Sequence, residues 1–130
     1  MKQSELNKIL KKHAEWLKDN SKGNRANLFG TYLNGVDLYD ANLRYANLRH
    51  TNLIGANLGY ADLSDTDLSD ADLYDADLGY TNLNNADLSG ADLIGTNLNG
   101  ADLSDVNFYN TRILPISLQK MKLTNTKKIW

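Results

Sequence analysis

The chain repeats every five residues from Ala26 onward, with leucine at the third position of almost every unit. The units begin ANLFG, TYLNG, VDLYD and ANLRY, and they keep this register without insertion through twenty units to Asn125. The first position is small or short-branched in nearly every unit, and the fourth and fifth are mostly polar. Hydrophobic side chains therefore recur at positions one and three of a five-residue period.

A period of five fits neither an α-helix nor a flat strand. Five helical residues advance about 500°, so successive leucines lie about 140° apart and form no stripe. In a strand, an odd period sends every second leucine to the opposite face. A very short strand followed by a turn fits this period, because positions one and three of every unit then face inward. Gly, Asn or Asp at position five is suited to the turn. A chain that turns the same way every five residues must coil, so the pattern predicts a β-solenoid.

The first 25 residues lack the repeat, and their apolar residues recur at helical spacing. Ser4 is the candidate N-cap of the predicted helix, and Asn20 and Gly23 are candidate stop signals. Because an open solenoid end exposes its core and its unpaired strand edges, we expect this helix to cover the first coil. His13 and Trp16 are interpreted as packing residues of this cap. The apolar residues of the predicted cap are Leu6, Ile9, Leu10, Trp16 and Leu17.

The repeats resemble those of the pentapeptide repeat family, whose A-(D/N)-L-x-x pattern they match from Ala26 to about Asn110. The resemblance implies an all-β solenoid, a right-handed quadrilateral parallel β-helix with four units per coil. It would have about five coils and a short N-terminal α-helical cap. The expected divisions are a capping helix and linker at 1–25, the β-helix at 26–125 and a C-terminal tail at 126–130, where Ile129 and Trp130 are candidates to cover the last coil. The stretch ILKKHAEWLKDNSKGNRANL is similar to a lead-in that precedes such repeats in bacterial and phage-encoded members.

Charge is distributed unevenly along the chain. The formal net charge is only -2, yet the interval between Arg49 and Arg112 holds eleven Asp and no Lys or Arg. We call these eleven residues the acidic belt: Asp62, Asp65, Asp67, Asp70, Asp72, Asp75, Asp77, Asp87, Asp92, Asp102 and Asp105. The belt either keeps the surface hydrated or presents negative charge to a partner.

With four units per coil, residues twenty apart stack, so the outer surface can be mapped in columns. In two second-position columns Asp alternates with Asn, as expected because like charges about 4.8 Å apart repel by nearly 1 kcal/mol even in water. Tyr60 is expected to stack on Tyr80. One fourth-position column is apolar, and we call it the apolar stripe: Ile54, Tyr74, Ile94 and Leu114. A flat exposed row of this kind indicates a protein partner or a homodimer, although scattered surface apolar residues are also ordinary.

The sequence holds few residues suited to catalysis or cofactor binding. It has no Cys and only two His, neither with an evident partner. Carboxylates on a solenoid diverge, whereas a Ca²⁺ site needs oxygens that converge at about 2.3–2.6 Å. We therefore predict no enzyme activity, no cofactor and no metal site. We also expect no direct nucleic-acid binding, because no continuous basic face is present. The absence of cysteine and of any apolar stretch of membrane length predicts a cytoplasmic protein that does not insert into membranes.

Two functions remain open from the sequence. The first is a non-enzymatic protein–protein interaction or scaffold module whose partner is unassigned. The alternative is an acidic DNA mimic that binds DNA gyrase or another DNA-binding protein, as the quinolone-resistance members of the resembled family do. Eleven carboxylates over three coils give one charge per ~1.4 Å, against one per about 1.7 Å in duplex DNA. This sequence departs from that subgroup, since no loop interrupts its repeats and no dimerisation helix follows them.

Overall fold

The computed structural model describes residues 1–113 and the backbone of residues 128–129. Its elements are helix α1 (Gln3–Lys18), strand β1 (Asn107–Phe108) and strand β2 (Lys128–Ile129). Strands β1 and β2 are parallel, with Asn107 opposite Lys128 and Phe108 opposite Ile129. The predicted stripe residue Leu114 and the predicted cover residue Trp130 lie outside the described residues. In the described part of the chain, no helix is both long and apolar enough to cross a membrane.

The repeats coil with four units in each turn of the rod. Fourteen isolated parallel bridges each join two residues that are twenty apart, from Asn27–Asn47 to Asp92–Arg112. Within this ladder the Leu28 N–H donates to the Asn47 carbonyl at 2.7 Å, and the Asn47 N–H donates to the Ala26 carbonyl at 3.0 Å. The same pair of hydrogen bonds recurs along the rod, which makes it the parallel solenoid that the five-residue period predicts.

Each corner is a tight turn closed by a backbone hydrogen bond. The Thr31 N–H donates to the Leu28 carbonyl at 3.1 Å, and the equivalent bond closes the later units. Fifth-position residues from 30 to 110 have φ between 54° and 75°, the left-handed region that Gly, Asn and Asp adopt most readily. The frequent Gly, Asn and Asp at position five follow from this requirement.

The interior of the rod is filled by positions one and three. The third-position Leu from Leu28 to Leu103, together with Phe108, are at most 3% exposed. Threonine is accommodated at the first position because its hydroxyl donates to the carbonyl of a Leu one coil earlier, as Thr51 Oγ1 does to Leu28 at 2.9 Å. Thr66 and Thr81 make the same bond, to Leu43 and Leu58. Among the described residues no buried side-chain nitrogen or oxygen lacks a hydrogen-bond partner.

Helix α1 lies over the first coil with its apolar face inward. Leu6 is fully buried, Ile9 and Leu10 pack against the core, and Trp16 and Leu17 are half-buried. These are the five residues that the helical spacing assigns to the cap. Their burial explains why the helix forms at the end of the rod, since most helical stability in proteins comes from packing an amphipathic face.

The N-terminal end of α1 differs from the sequence expectation. The N-cap is Lys2, and its backbone N–H donates to Glu5 Oε2 at 3.3 Å. The prediction that Ser4 caps the helix was wrong, because the helix already begins at Gln3 and Ser4 lies in its first turn. The side chain of Gln3, the first helical residue, hydrogen-bonds the backbone of the first coil.

The helix also hydrogen-bonds the open backbone edge of the first coil. Gln3 Nε2 donates to the Asp37 carbonyl at 2.9 Å, and Gln3 Oε1 accepts from the Asp37 N–H at 2.9 Å. In later coils the second-position N–H and C=O pair with the preceding coil, which the first coil lacks. The Gln3 amide therefore replaces a missing strand partner, and the Met1 amino group does the same for the Tyr32 carbonyl at 2.8 Å.

Past its last turn the chain folds back against α1. The helix ends at Lys18 with Asp19 as its C-cap. Gly23 has φ of 61°, and a Cβ at this position would lie 2.1 Å from the Lys12 carbonyl oxygen. The neighbouring Asn24 N–H donates to the same carbonyl at 3.1 Å. Only glycine fits here, so the predicted stop signal at Gly23 also fixes how the linker returns to the rod.

Candidate interaction surfaces

The outward positions form columns on four sides of the rod, because residues twenty apart are stacked by the ladder. We number the sides one to four by the units of the first coil, which begin at residues 26, 31, 36 and 41. On every side the second and fourth positions point outward and the fifth lies at the corner that leads to the next side. The surface is therefore described column by column.

The apolar stripe lies in the fourth-position column of side two. Ile54 is 36% exposed, Tyr74 is 45% exposed and Ile94 is half-buried. At the adjoining corner Gly55 has open space around its Cα. The structure thus brings three of the four predicted stripe residues together on one flat surface, the fourth being Leu114 outside the described residues.

Side three carries a column of stacked tyrosines near the corner that leads to side four, separated from the apolar stripe by the second-position column of Asp37, Asn57, Asp77 and Asn97. The rings of Tyr60 and Tyr80 are stacked with centroids 5.0 Å apart, as the column map predicts. Tyr39 extends the stack, with its centroid 5.6 Å from that of Tyr60. The sequence reasoning missed Tyr39 because it occupies a fourth position and the other two occupy fifth positions. The available signal was Gly59, where the missing side chain leaves room for the Tyr39 ring.

The rod consequently has two chemically different sides. We call sides two and three the Ile–Tyr side, because they carry Ile54, Tyr74 and Ile94 with Tyr39, Tyr60 and Tyr80. We call sides four and one the Ser–Asp side, because Ser64, Ser69, Ser89 and Ser104 occupy central fourth positions there, with Phe29, Arg44, Arg49 and Tyr109 nearer the ends of the same columns. Seven of the eleven belt residues belong to its units, namely Asp62, Asp65, Asp67, Asp70, Asp87, Asp102 and Asp105. The acidic belt surrounds the rod unevenly.

Second-position carboxylates of the belt are part of the turn structure. Asp62 Oδ1 accepts the Ser64 N–H at 3.0 Å and the Ser64 hydroxyl at 2.6 Å. Asp67 makes the same two bonds with Ser69. Elsewhere Asn and Asp accept the N–H two residues on in the same way, as Asn52 Oδ1 does from Ile54 at 3.1 Å. Because either side chain supplies this oxygen, Asx at position two favours the turn whether or not it is charged.

Where Asn follows Asp in a column, the two side chains hydrogen-bond. Asn97 Nδ2 donates to Asp77 Oδ1 at 2.8 Å, and Asn57 donates to Asp37 at 3.2 Å. The same donation links Asn82 to Asp62 at 3.4 Å and Asn107 to Asp87 at 3.2 Å. The alternation predicted from charge repulsion is therefore also a hydrogen-bonded ladder along the outside of the rod.

Two columns break the alternation and stack carboxylates on one another. Asp67 is the bridge partner of Asp87, and Asp72 is the bridge partner of Asp92. The charge repulsion within the second pair is reduced, because Arg112 Nη1 donates to Asp92 Oδ2 at 2.6 Å. The pair of Asp67 and Asp87 is thus the sharper local concentration of negative charge.

Fifth-position belt residues at the corners have individual neighbours. Asp65 Oδ2 lies 3.5 Å from Arg44 Nε, and Asp65 Oδ1 accepts from Asn85 Nδ2. Asp70 Oδ2 lies 3.6 Å from His50 Nε2, a partner that the sequence did not reveal. Asp75 leans over the next coil, where a Cβ on Gly95 would clash with its carboxylate. These side chains diverge around the rod.

The described residues bring no group of three or more His, Cys, Asp or Glu side chains together for a metal ion. An open cavity of about 470 Å³ lies beside the end of α1, lined by Trp16, Leu17, Lys18, Asp19, Asn20 and Tyr45. Hydrogen bonds from the Ser21 hydroxyl and N–H lower the pKa of the Asp19 carboxyl. This carboxyl is thus an anion held by its own turn, and the cavity contains no pair of groups arranged for acid–base chemistry.

The chain is similar to known repeat proteins. The family model for pentapeptide repeats matches residues 24–59, 46–85 and 71–110, with eight copies. A pentapeptide repeat protein from the cyanobacterium Cyanothece 51142 is 28% identical, and the match covers 93% of this chain and 99% of that one with a TM-score of 0.40. One from Nostoc Pcc 7120 is 36% identical over 77% of this chain and 82% of that one, with a TM-score of 0.38. QnrB1, a plasmid-mediated fluoroquinolone resistance protein, is 16% identical over 84% of this chain and 67% of that one, with a TM-score of 0.45. No curated protein sequence gives a significant match.

Proposed function

This chain belongs to the pentapeptide repeat family, and we propose that it is a non-enzymatic interaction module that binds a protein partner through the Ile–Tyr side. We take the solenoid to have the right hand of the family and the protein to act in the cytoplasm. The observation that carries the proposal is the sorting of outward side chains onto two different sides.

The inward residues and the turn residues are accounted for by the fold. Positions one and three fill the core, position two closes the turn and position five makes the corner. The fourth position carries no such requirement, and on side two it holds Ile54, Tyr74 and Ile94. Exposed apolar residues aligned in one column, with a second column of three stacked tyrosines on the next side, are the composition that protein interfaces favour.

Substitutions at matched fourth positions test this proposal. Ile54→Lys with Ile94→Lys places two charges on the Ile–Tyr side, and Ser69→Lys with Ser89→Lys places two charges on the Ser–Asp side. Both double variants leave the core untouched. We expect the first to abolish capture of the partner from host extract and the second to leave it intact, with circular dichroism confirming that both rods are folded.

Light scattering decides whether the partner is a second copy of the chain. A wild-type dimer that becomes a monomer with Ile54→Lys and Ile94→Lys would identify a homodimer through the Ile–Tyr side. A wild-type monomer would leave a different protein as the partner. Loss of capture in the serine variants alone would contradict the proposal, because it would move the interface to the opposite side.

The second candidate is the acidic DNA mimic, and the run of eleven Asp without Lys or Arg between Arg49 and Arg112 favours it. Seven carboxylates lie in the units of the Ser–Asp side, on three coils about 15 Å tall. That is one carboxylate per ~2 Å of rod, close to the one negative charge per about 1.7 Å of duplex DNA. The test is inhibition of DNA gyrase supercoiling by the purified protein. Absence of inhibition at micromolar protein would eliminate gyrase as the partner.

A further inference from the structure

His13 is a fully buried titratable side chain that links α1 to the first coil. Its exposure is 0%, and its imidazole stacks on the Trp16 ring with centroids 5.7 Å apart. Nδ1 accepts the Ala26 N–H at 3.0 Å, and Nε2 lies 3.0 Å from the Arg44 carbonyl oxygen. A backbone N–H can only donate, so Nδ1 must be unprotonated and the ring hydrogen must reside on Nε2. The ring is therefore held as one neutral tautomer.

Both bonds satisfy backbone groups that every other coil pairs with repeat backbone. In the units that follow, the first-position N–H donates to a Leu carbonyl three residues earlier, as Thr31 does to Leu28. Ala26 begins the first unit and has no such Leu before it. Likewise a fourth-position carbonyl accepts from the preceding coil, as Arg49 does from Gly30, and Arg44 lies in the first coil. His13 supplies an acceptor to Ala26, which has no preceding unit, and a donor to Arg44, which has no preceding coil.

We propose that His13 is a pH-operated latch, which holds α1 on the first coil while it is neutral and releases the helix when it is protonated. Protonation places a hydrogen on Nδ1, where it would face the hydrogen of the Ala26 N–H. The bond between α1 and Ala26 is then replaced by a repulsive contact inside a closed interface. Release of α1 would expose the Leu6 site and the backbone edge that Gln3 covers.

The charged surroundings of His13 do not offset this penalty. Burial and the nearby positive charge of Arg25 lower the pKa of His13, and the hydrogen bond to the Arg44 carbonyl opposes them in part. The Arg44 guanidinium on the coil is directed to Asp65 and Tyr45. On α1 itself the neighbouring Lys12 and Glu15 are exposed. None of the four ion pairs among the described residues includes His13.

The sign of the pH dependence follows from the lowered pKa. The undocked helix binds a proton near the ordinary histidine pKa of about 6.5, whereas the docked helix resists protonation. Docking is therefore at full strength above about pH 6.5 and weakens as the pH falls through the interval below that value. Because one proton is involved, the opening constant rises by at most about tenfold per pH unit.

Hydrogen exchange of the full-length chain between pH 7.5 and 5 tests the latch, after correction for the intrinsic pH dependence of exchange. In the wild type we expect protection of residues 3–18 and of the Ala26 amide to fall by up to about tenfold per pH unit below about pH 6.5. In His13→Gln, which cannot titrate, the protection should not change with pH. His50→Gln is the matched control, since His50 is exposed and should leave the wild-type response intact. A flat wild-type response, or a wild-type slope in His13→Gln, would overturn the proposal.

A second measurement keeps the proposal testable if His13→Gln does not dock its helix. Nitrogen-15 spectra of the wild-type imidazoles report the tautomer and the titration of each ring. We expect His13 to show hydrogen on Nε2 at neutral pH and to titrate below the ordinary histidine value. Hydrogen on Nδ1, or titration at or above that value, would contradict the latch directly.

Discussion

The structure predicts opposite effects for one substitution made in two columns of the acidic belt. Asp87 stacks on Asp67, so Asp87→Asn removes a like-charge contact. It also supplies an amide that can donate to Asp67, as Asn97 donates to Asp77 at 2.8 Å. Asp77→Asn is the matched control, because Asp77 accepts from Asn97 as Asp87 accepts from Asn107, but Asp77 stands next to asparagines in its column. Each variant therefore weakens one charge-assisted bond, and only Asp87→Asn also removes a like-charge contact. Both variants lose one negative charge, so the reduction in long-range repulsion across the rod is the same in both.

The magnitude follows from the coil spacing. Two unit charges one coil apart, at about 4.8 Å, repel by about 0.9 kcal/mol at the dielectric constant of water. A new neutral-to-charged hydrogen bond adds on the order of 1 kcal/mol. We therefore expect Asp87→Asn to raise the free energy of unfolding by about 1 kcal/mol. Asp77→Asn should lower it by up to about 1 kcal/mol, because it replaces a charge-assisted bond with a neutral one.

Equilibrium unfolding in urea measures this difference, since urea is uncharged and does not screen the carboxylates. The separation between the two variants should be largest at low salt and should shrink near 1 M salt, where the screening length is about 3 Å. If Asp87→Asn destabilises the rod as much as Asp77→Asn, the column interpretation is incorrect. A separation that is unchanged by salt would likewise rule out the electrostatic part of the reasoning.

Three further variants test the cap and the core. Gln3→Met removes both hydrogen bonds to the first-coil edge and should weaken docking of α1 by about 1–2 kcal/mol, seen as faster amide exchange in the helix. Leu68→Ala empties a fully buried site in the central coils and should lower the free energy of unfolding by about 2–5 kcal/mol in urea denaturation. Gly23→Ala should destabilise the cap by about 2–3 kcal/mol because its Cβ meets the Lys12 carbonyl. Gly30→Ala, with similar φ but open space, should cost only about 1 kcal/mol; equal losses at the two glycines in thermal unfolding would refute the packing argument.

The sequence predicts the rod because each five-residue unit contains its own inward-facing residues and its own turn. Small residues and Leu two positions apart can share one interior only if the chain turns in each unit. The resemblance to the pentapeptide repeat family supplied four units per coil, and that number determines every column. The stacking of Tyr60 on Tyr80 and the alternation of Asn97 with Asp77 follow from that register alone. The resemblance to the pentapeptide repeat family is confirmed by the family match over residues 24–110.

The missed features depend on where side chains outside the repeat meet the coil. Gln3 pairs with Asp37, 34 residues away, and no local pattern identifies a glutamine as a substitute strand. Ser is a common N-cap residue, but the helix begins one residue before Ser4, at Gln3, with Lys2 as its N-cap. The turn-closing role of second-position Asp became visible only as hydrogen bonds. That role changes the meaning of the belt, since seven of its eleven residues occupy turn-closing second positions where Asn makes the same bond. The fourth positions, which have no such role, therefore carry the functional proposal.

Cross-linking from matched fourth positions of one coil tests the proposed function most directly. A photoreactive residue replaces Ile94 on the Ile–Tyr side or Ser89 on the Ser–Asp side, and the full-length chain is irradiated in the host cell. We predict a discrete cross-linked protein from position 94 and none from position 89. Cross-linking from position 89 alone, or equally from both positions, would contradict binding through the Ile–Tyr side.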